Sequence, residues 1–362
     1  MSDAPETVIE RTPWIISRKQ DLIWFQGSVL AGLFLLLLFL ALPELNSSNY
    51  TVVHPAVLLL LVWGVSLDGT HVFSTYARTY FANDADSRAR IPGSWGWALI
   101  AVGPAVALVD YKFFEPGPSI VGQAGTLFRH FLVIAYIWAY YHLIRQHYGF
   151  FSLYKRKSSK KSANWDVWFL WVGALYPFLK FSLSEAYLSS GLPNPIPQGY
   201  FANLNSIIDL LFLSFIFIYL ICFAFLASKK SLNIEPKHVF VVIVVAFHML
   251  VFKCLHNLLA ITATLTIFHN IQYHRIVWQY ERGKGRIPMG SVASYLAFGL
   301  ALGMLWYTPR VLGVAVAETD LTRNLLLGFG WGIAFHHYFM DARIWRVRRQ
   351  PQVGKTLDRG AV

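Results

Sequence analysis

A chain of 362 residues in which 56% are hydrophobic and only 14% charged, against about 25% charged in a soluble domain, excludes an ordinary soluble globular protein, and the mean hydropathy of +0.45 agrees. The formal charge of +12 suits a nucleic-acid binder or a membrane protein with basic cytoplasmic loops; uninterrupted apolar blocks of about 20 residues select the second and leave no role for nucleic acid. Two cysteines, Cys222 and Cys254, both inside apolar runs, exclude a disulfide framework or a thiolate metal site.

In chain order the apolar blocks predict an all-α, polytopic membrane protein of about ten helices, near 22–43, 54–74, 95–113, 127–149, 165–186, 204–227, 238–254, 256–279, 291–308 and 322–342. The first follows a short cytoplasmic segment, 1–21, and lacks the small-x-small site of a cleaved signal peptide. The seventh and eighth are separated by almost nothing. Gly191–Gln198 reads as an external loop, and 345–362 as a flexible basic tail. No segment is large enough for a separate soluble domain, so 1–362 is one transmembrane domain.

Lys and Arg orient it. With the N-terminus inside, 25 of the 31 fall in cytoplasmic segments, including Arg18, Lys19, Arg78, Arg145, Lys155, Arg156, Arg282, Arg343 and Arg346; the other six are Lys112, Arg129, Lys180, Lys253, Arg310 and Arg323. Both termini are therefore expected in the cytoplasm, with the chain in a plasma membrane of the bacterial inner-membrane type.

The twelve histidines carry the chemical signal. His54 opens a helix outside, His238 opens one inside, and His130 lies about three turns before the histidines that end its own helix. His248 and His256 lie deeper and read as core histidines. The other seven fall in Asp68-Gly-Thr-His71, His142-Leu-Ile-Arg-Gln-His147, His269-Asn-Ile-Gln-Tyr-His274 and His336-His337-Tyr-Phe-Met-Asp341. These segments end spans two, four, eight and ten, all even-numbered, so the histidines share one depth at the cytoplasmic side. Asp68 and His71 are i,i+3 and His337 and Asp341 are i,i+4, so each pair shares a helix face. A carboxylate beside an imidazole serves as a further ligand or fixes the ring's tautomer. Within each H-x-x-x-x-H segment, five residues advance about 500°, leaving the rings about 140° apart; one ion cannot take both without distortion. Ionisable residues at membrane depth are costly and usually functional, and imidazole with carboxylate suits iron, copper or zinc. The candidate metal ligands are thus His71, His142, His147, His269, His274, His336, His337, Asp68 and Asp341.

His142/His147, His269/His274 and the His336-His337 pair resemble the histidine boxes of integral membrane di-iron oxygenases, namely the fatty acid desaturases and hydroxylases and the alkane monooxygenases. The resemblance covers only these segments. No H-x-x-H-H occurs, ten spans exceed the usual four to six, and Asp68-x-x-His71 is foreign to those families. It implies two iron ions, dioxygen activation, and hydroxylation, desaturation or cleavage of a lipid-like substrate that enters from the bilayer. Tyr141, Tyr148, Tyr273 and Tyr338, beside the ligands, are candidate hydrogen-bond donors at the reacting centre. With no nicotinamide or flavin motif, electrons would come from a separate, acidic, ferredoxin-like donor docking on the basic face. Two other readings stand beside this one: a haem protein with paired axial histidines, and a metal or proton transporter, although transporter sites generally lie at the midplane.

Overall fold

The computed structural model describes residues 12–42, 55–82, 93, 95–114, 126–158, 165–228, 234–317, 319–347 and 349–360. His54 and several of the counted basic residues, among them Arg11, Arg88, Arg90, Lys160, Lys161, Lys229, Lys230 and Arg348, lie outside them. The regular structure among the described residues is entirely helical, with no strand. The helices are α1 Val29–Ala41, α2 Pro55–Trp63, α3 Gly69–Arg78, α4 Trp95–Phe113, α5 Thr126–Lys157, α6 Trp165–Ser182, α7 Phe201–Ser228, α8 Pro236–Cys254, α9 Leu258–Gly283, α10 Val292–Val316, α11 Asp320–Ile344 and α12 Pro351–Arg359.

Among the described residues, seven segments are long and apolar enough to cross a membrane: Arg18–Ala41, Leu58–Arg78, Gly96–Phe113, Leu127–Lys157, Gln198–Phe225, Pro236–Cys254 and Val292–Val311. The protein is therefore a multi-pass membrane protein by length and apolarity. Helices α6, α9 and α11, which match three more of the expected spans, are outside that set. The reason in α9 and α11 is the polar content that makes them interesting: His269, Asn270, Gln272, Tyr273, His274 and Arg275 in one, His336, His337 and Asp341 in the other.

Without water to drive them together, membrane helices associate by close packing, which favours small residues at the contact. A methyl group added at Gly103 of α4 would overlap the Gly328 carbonyl of α11, and one at Gly332 would overlap the Ile100 carbonyl. Gly69 of α3 meets Gly303 of α10 in the same way. These contacts bring α11 and α3 into the bundle, where α9 and α5 complete a four-helix group. Helix α7 lies outermost, held to α6 by the Tyr176–Phe212 stack at 3.9 Å and the Lys180–Asp209 ion pair at 2.8 Å.

Two local features position the site. A π-helical turn, Gly64–Asp68, joins α2 to α3 immediately before His71; such turns are rare and frequent at functional sites. Between α8 and α9, Leu255 is extended and Asn257 caps α9, accepting from the amides of Leu259 and Ala260. So a three-residue turn separates the two helices whose division the sequence leaves indistinct.

The C-terminal segment departs from expectation. The sequence predicts a flexible tail, yet Pro351–Arg359 forms α12 and packs on α9. Val353 and Leu357, one turn apart, are fully buried. Gln279 donates to the Leu357 carbonyl at 3.1 Å, and Arg156 and Lys157 grip Asp358. Two apolar residues on one face suffice for docking, and average polarity hides them.

Candidate metal centre

Helices α3, α5, α9 and α11 each bring one histidine to a common point: His71, His142, His269 and His337. The Nε2 atoms of His71 and His337 are 3.0 Å apart, and those of His71 and His269 are 3.3 Å apart. Nε2 of His337 lies 3.6 Å, and Nε2 of His142 3.9 Å, from Oδ2 of Asp341. One ligand atom from each of His71, His142, His337 and Asp341 lies within 4.8 Å of all the others, and all four residues are buried.

A metal ion fits this set. An imidazole nitrogen offers either one N–H or one lone pair, so His71 Nε2 cannot hydrogen-bond well to two other ring nitrogens at once. A cation satisfies converging lone pairs together. With metal–nitrogen bonds of about 2.1 Å, two imidazoles on one tetrahedral ion have ring centres about 5 Å apart. The observed centre separations are 4.7 Å for His71–His337, 4.7 Å for His71–His269 and 5.2 Å for His142–His337.

A second layer lies one helical turn further along the same four helices. Thr75, Gln146, Tyr273 and Asp341 follow His71, His142, His269 and His337 at i+4 in each case, hence on the same faces. Thr75 and Tyr273 donate to Asp341 Oδ1 at 2.7 and 2.6 Å, and Gln146 donates to Oδ2 at 2.7 Å. The Gln146 amide also touches His142 Nε2. Because i residues meet i residues and i+4 residues meet i+4 residues, the four helices run in the same direction. Beyond this layer Trp345 donates to Tyr273 at 3.1 Å, and the buried Arg78 guanidinium lies over the rings of Tyr280 and Trp345 at 3.7 and 4.3 Å. Arg78 and the two rings cap one end of the site.

The remaining candidates have other surroundings. His274 contacts the hydroxyls of Thr70, Ser74 and Tyr295 at 2.8 to 3.0 Å. His336 meets the Tyr76 and Tyr80 hydroxyls, both at 3.1 Å, and stacks on Trp97. Asp68 receives a hydrogen bond from Tyr307 and a long one, 3.4 Å, from Asn270. His147 faces His248, His269 and Phe268. Among the tyrosines, Tyr273 belongs to the second layer and Tyr338 stacks on His142 at 4.1 Å, whereas Tyr148 lies against Phe151, Trp171 and Arg145. Sequence reasoning did not single out Thr75 or Gln146, although their i+4 spacing from His71 and His142 was a usable signal, and it set aside His248.

The chain matches no protein-family model, and comparison with curated proteins and with solved structures finds no significant similarity.

Proposed function

We propose that the protein is a membrane metalloenzyme, an iron-dependent oxidoreductase acting on a lipid-like substrate. The observation that carries this reading is the buried convergence of His71, His142 and His337 with Asp341. Those four residues would hold the ion, with His269 beside them. Three imidazoles and a carboxylate suit a first-row transition metal, and bound iron would supply dioxygen activation for hydroxylation, desaturation or cleavage. The rings pack edge to edge with nitrogens about 3 Å apart, an arrangement that favours a bare ion over a porphyrin plate between axial ligands.

The chain's own residues do the rest. Asp341 orients the site through Thr75, Tyr273 and Gln146, and the Tyr273 hydroxyl holds a proton at the Asp341 carboxylate. The Arg78 cap restricts water at that end. Helices α6, α9 and α11 are the three further spans of a ten-span, N-in and C-in arrangement. That topology puts the cap and its neighbouring basic residues on the cytoplasmic side, suited to an acidic ferredoxin-like donor.

The test is metal analysis of the detergent-purified protein with its absorption spectrum, followed by ¹⁸O₂ incubation with a membrane lipid extract and a reducing system. Iron without a Soret band, together with labelled or newly unsaturated lipid, supports the proposal. A Soret band, or zinc as the sole bound metal, overturns it. His142→Ala, His269→Ala and His337→Ala are expected to lose metal and activity together, and His54→Ala to retain both.

A further inference from the structure

His147 and His248 remain after the centre above has been assembled. We propose that these two, with His269 standing between them and the first cluster, hold a second first-row transition-metal ion. This rests on the reading of His71, His142, His337 and Asp341 as a metal centre.

His147 follows His142 by five residues, so its ring points about 140° away around α5, toward α8 and α9. It is fully buried, and neither ring nitrogen has a hydrogen-bond partner among the described residues. Its neighbours are Phe240, Phe268, His248 and His269. Leaving a buried polar group unsatisfied opposes folding, a cost that packing alone does not offset when a phenyl ring would fill the space.

His248 supplies the independent observation. Tyr140 donates its one proton to the Ala174 carbonyl at 2.6 Å. Its contact with His248 Nδ1 at 2.7 Å is therefore made by the imidazole N–H, with the tyrosine oxygen accepting. That fixes the tautomer. His248 Nε2 is left as a bare lone pair, fully buried and without a donor among the described residues. A carbonyl–tyrosine–imidazole chain of this kind is how proteins orient a metal-ligating histidine. The ring centres of His147 and His248 are 5.5 Å apart with planes at 75°, close to the separation of two imidazoles on one ion. His269 is 6.0 Å from His147 at 83°, and its Nδ1 is buried and unpartnered among the described residues. Three imidazoles suit iron, copper or zinc.

The experiment strips the purified, full-length protein of metal in detergent, titrates it with Co²⁺, and measures cobalt per chain with its visible spectrum. Two cobalt ions are expected for the wild type and one for His248→Ala, with the first centre's spectrum intact; His337→Ala should lose that first spectrum. Tyr140→Phe, which removes one hydroxyl and keeps the ring, tests the same site should His248→Ala fail to fold. It is expected to weaken only the second cobalt, by about 10–100-fold. One cobalt per wild-type chain, or two in His248→Ala, overturns the second position and leaves the first centre standing. A wild type that binds no cobalt overturns both.

Discussion

Thr75 sets the tautomer of His337. The threonine hydroxyl has one proton, which it donates to Asp341 Oδ1 at 2.7 Å, so its 3.0 Å contact with His337 Nδ1 is an N–H donated by the ring. Nε2 of His337 is then a lone pair, directed at His71 Nε2 and Asp341 Oδ2. Thr75→Val preserves the shape and removes both hydrogen bonds. It is expected to lower metal affinity about 10–100-fold, the usual effect of losing such a supporting partner, whereas Thr75→Ser should stay near wild type. Metal retained against a graded chelator series checks this; equal retention by Val and Ser at this position would refute the tautomer argument.

That pair also shows how far the sequence carried. The apolar blocks that form α3, α5, α9 and α11, each carrying histidines, were legible, because apolarity and residue spacing are local properties of the chain. His71, His142, His337 and Asp341, which the structure brings together, are four of the nine candidate ligands read from that pattern. Legibility stopped at facing. His274 is five residues after His269, and His336 precedes His337 by one; each therefore points away from its neighbour, and only packing decides which of the two faces inward. The i+4 residues Thr75 and Gln146 were equally visible as spacing, but an isolated polar residue on a helix does not announce that its partner lies on another helix. His248 was hidden for the opposite reason: it stands alone in an apolar helix, and what marks it is Tyr140, more than a hundred residues away.

The surroundings of His274 and His336 give a second prediction. His274 is held by Thr70, Ser74 and Tyr295, and His336 by two tyrosine hydroxyls and the Trp97 ring. His274→Asn and His336→Phe are therefore expected to keep wild-type metal content. His274→Asn should cost about 1–3 kcal/mol of stability through hydroxyls left unpaired. Metal per chain and thermal denaturation in detergent measure the two effects separately; loss of metal in a variant that remains folded would place that histidine in the ligand set.

Docking of α12 makes a third prediction, with a pH dependence. Burial raises the Asp358 carboxyl, but the hydrogen bonds and charges of Arg156 and Lys157 outweigh it and hold the group below the usual carboxylate range. A carboxyl depressed on folding contributes stability that is present above its unfolded value, about 3.9, and is lost as pH falls through the lower folded value. The ion pair is partly exposed, so its contribution is small. Burial of Val353 and Leu357 dominates, at roughly 1.5–3 kcal/mol each. Limited proteolysis of the C-terminus at neutral pH should thus be much faster in Leu357→Ala and only slightly faster in Asp358→Asn. With an acid-tolerant protease, the difference between wild type and Asp358→Asn should begin to shrink below about pH 4 and vanish only beneath the lower folded value. A large Asp358→Asn effect at neutral pH would reverse the assigned order.

The last prediction concerns distance rather than chemistry. His337 and Asp341 reach the centre only because α11 lies against α4 with backbone touching backbone at Gly103, Gly328 and Gly332, a Gly-x-x-x-Gly contact on α11 of the kind that lets membrane helices approach closely. A side chain at Gly328 has no space to enter except by parting the helices, and overpacking of this sort costs about 1–3 kcal/mol or more. The loss should not stop at stability. Gly332 and His336 are one turn apart and His337 is the next residue, so a shift of α11 moves its imidazole and carboxylate away from His71 and His142, which belong to other helices. Gly328→Leu is therefore expected to lose metal although it touches no ligand. Gly149→Ala is the matched control: it lies two residues past His147, a methyl group there meets nothing within 4 Å, and alanine in place of glycine inside a helix is favoured by up to about 1 kcal/mol. That variant should bind metal as the wild type does and denature no earlier. Metal bound by Gly328→Leu at the wild-type level would mean that the close α4–α11 contact is not what positions the centre.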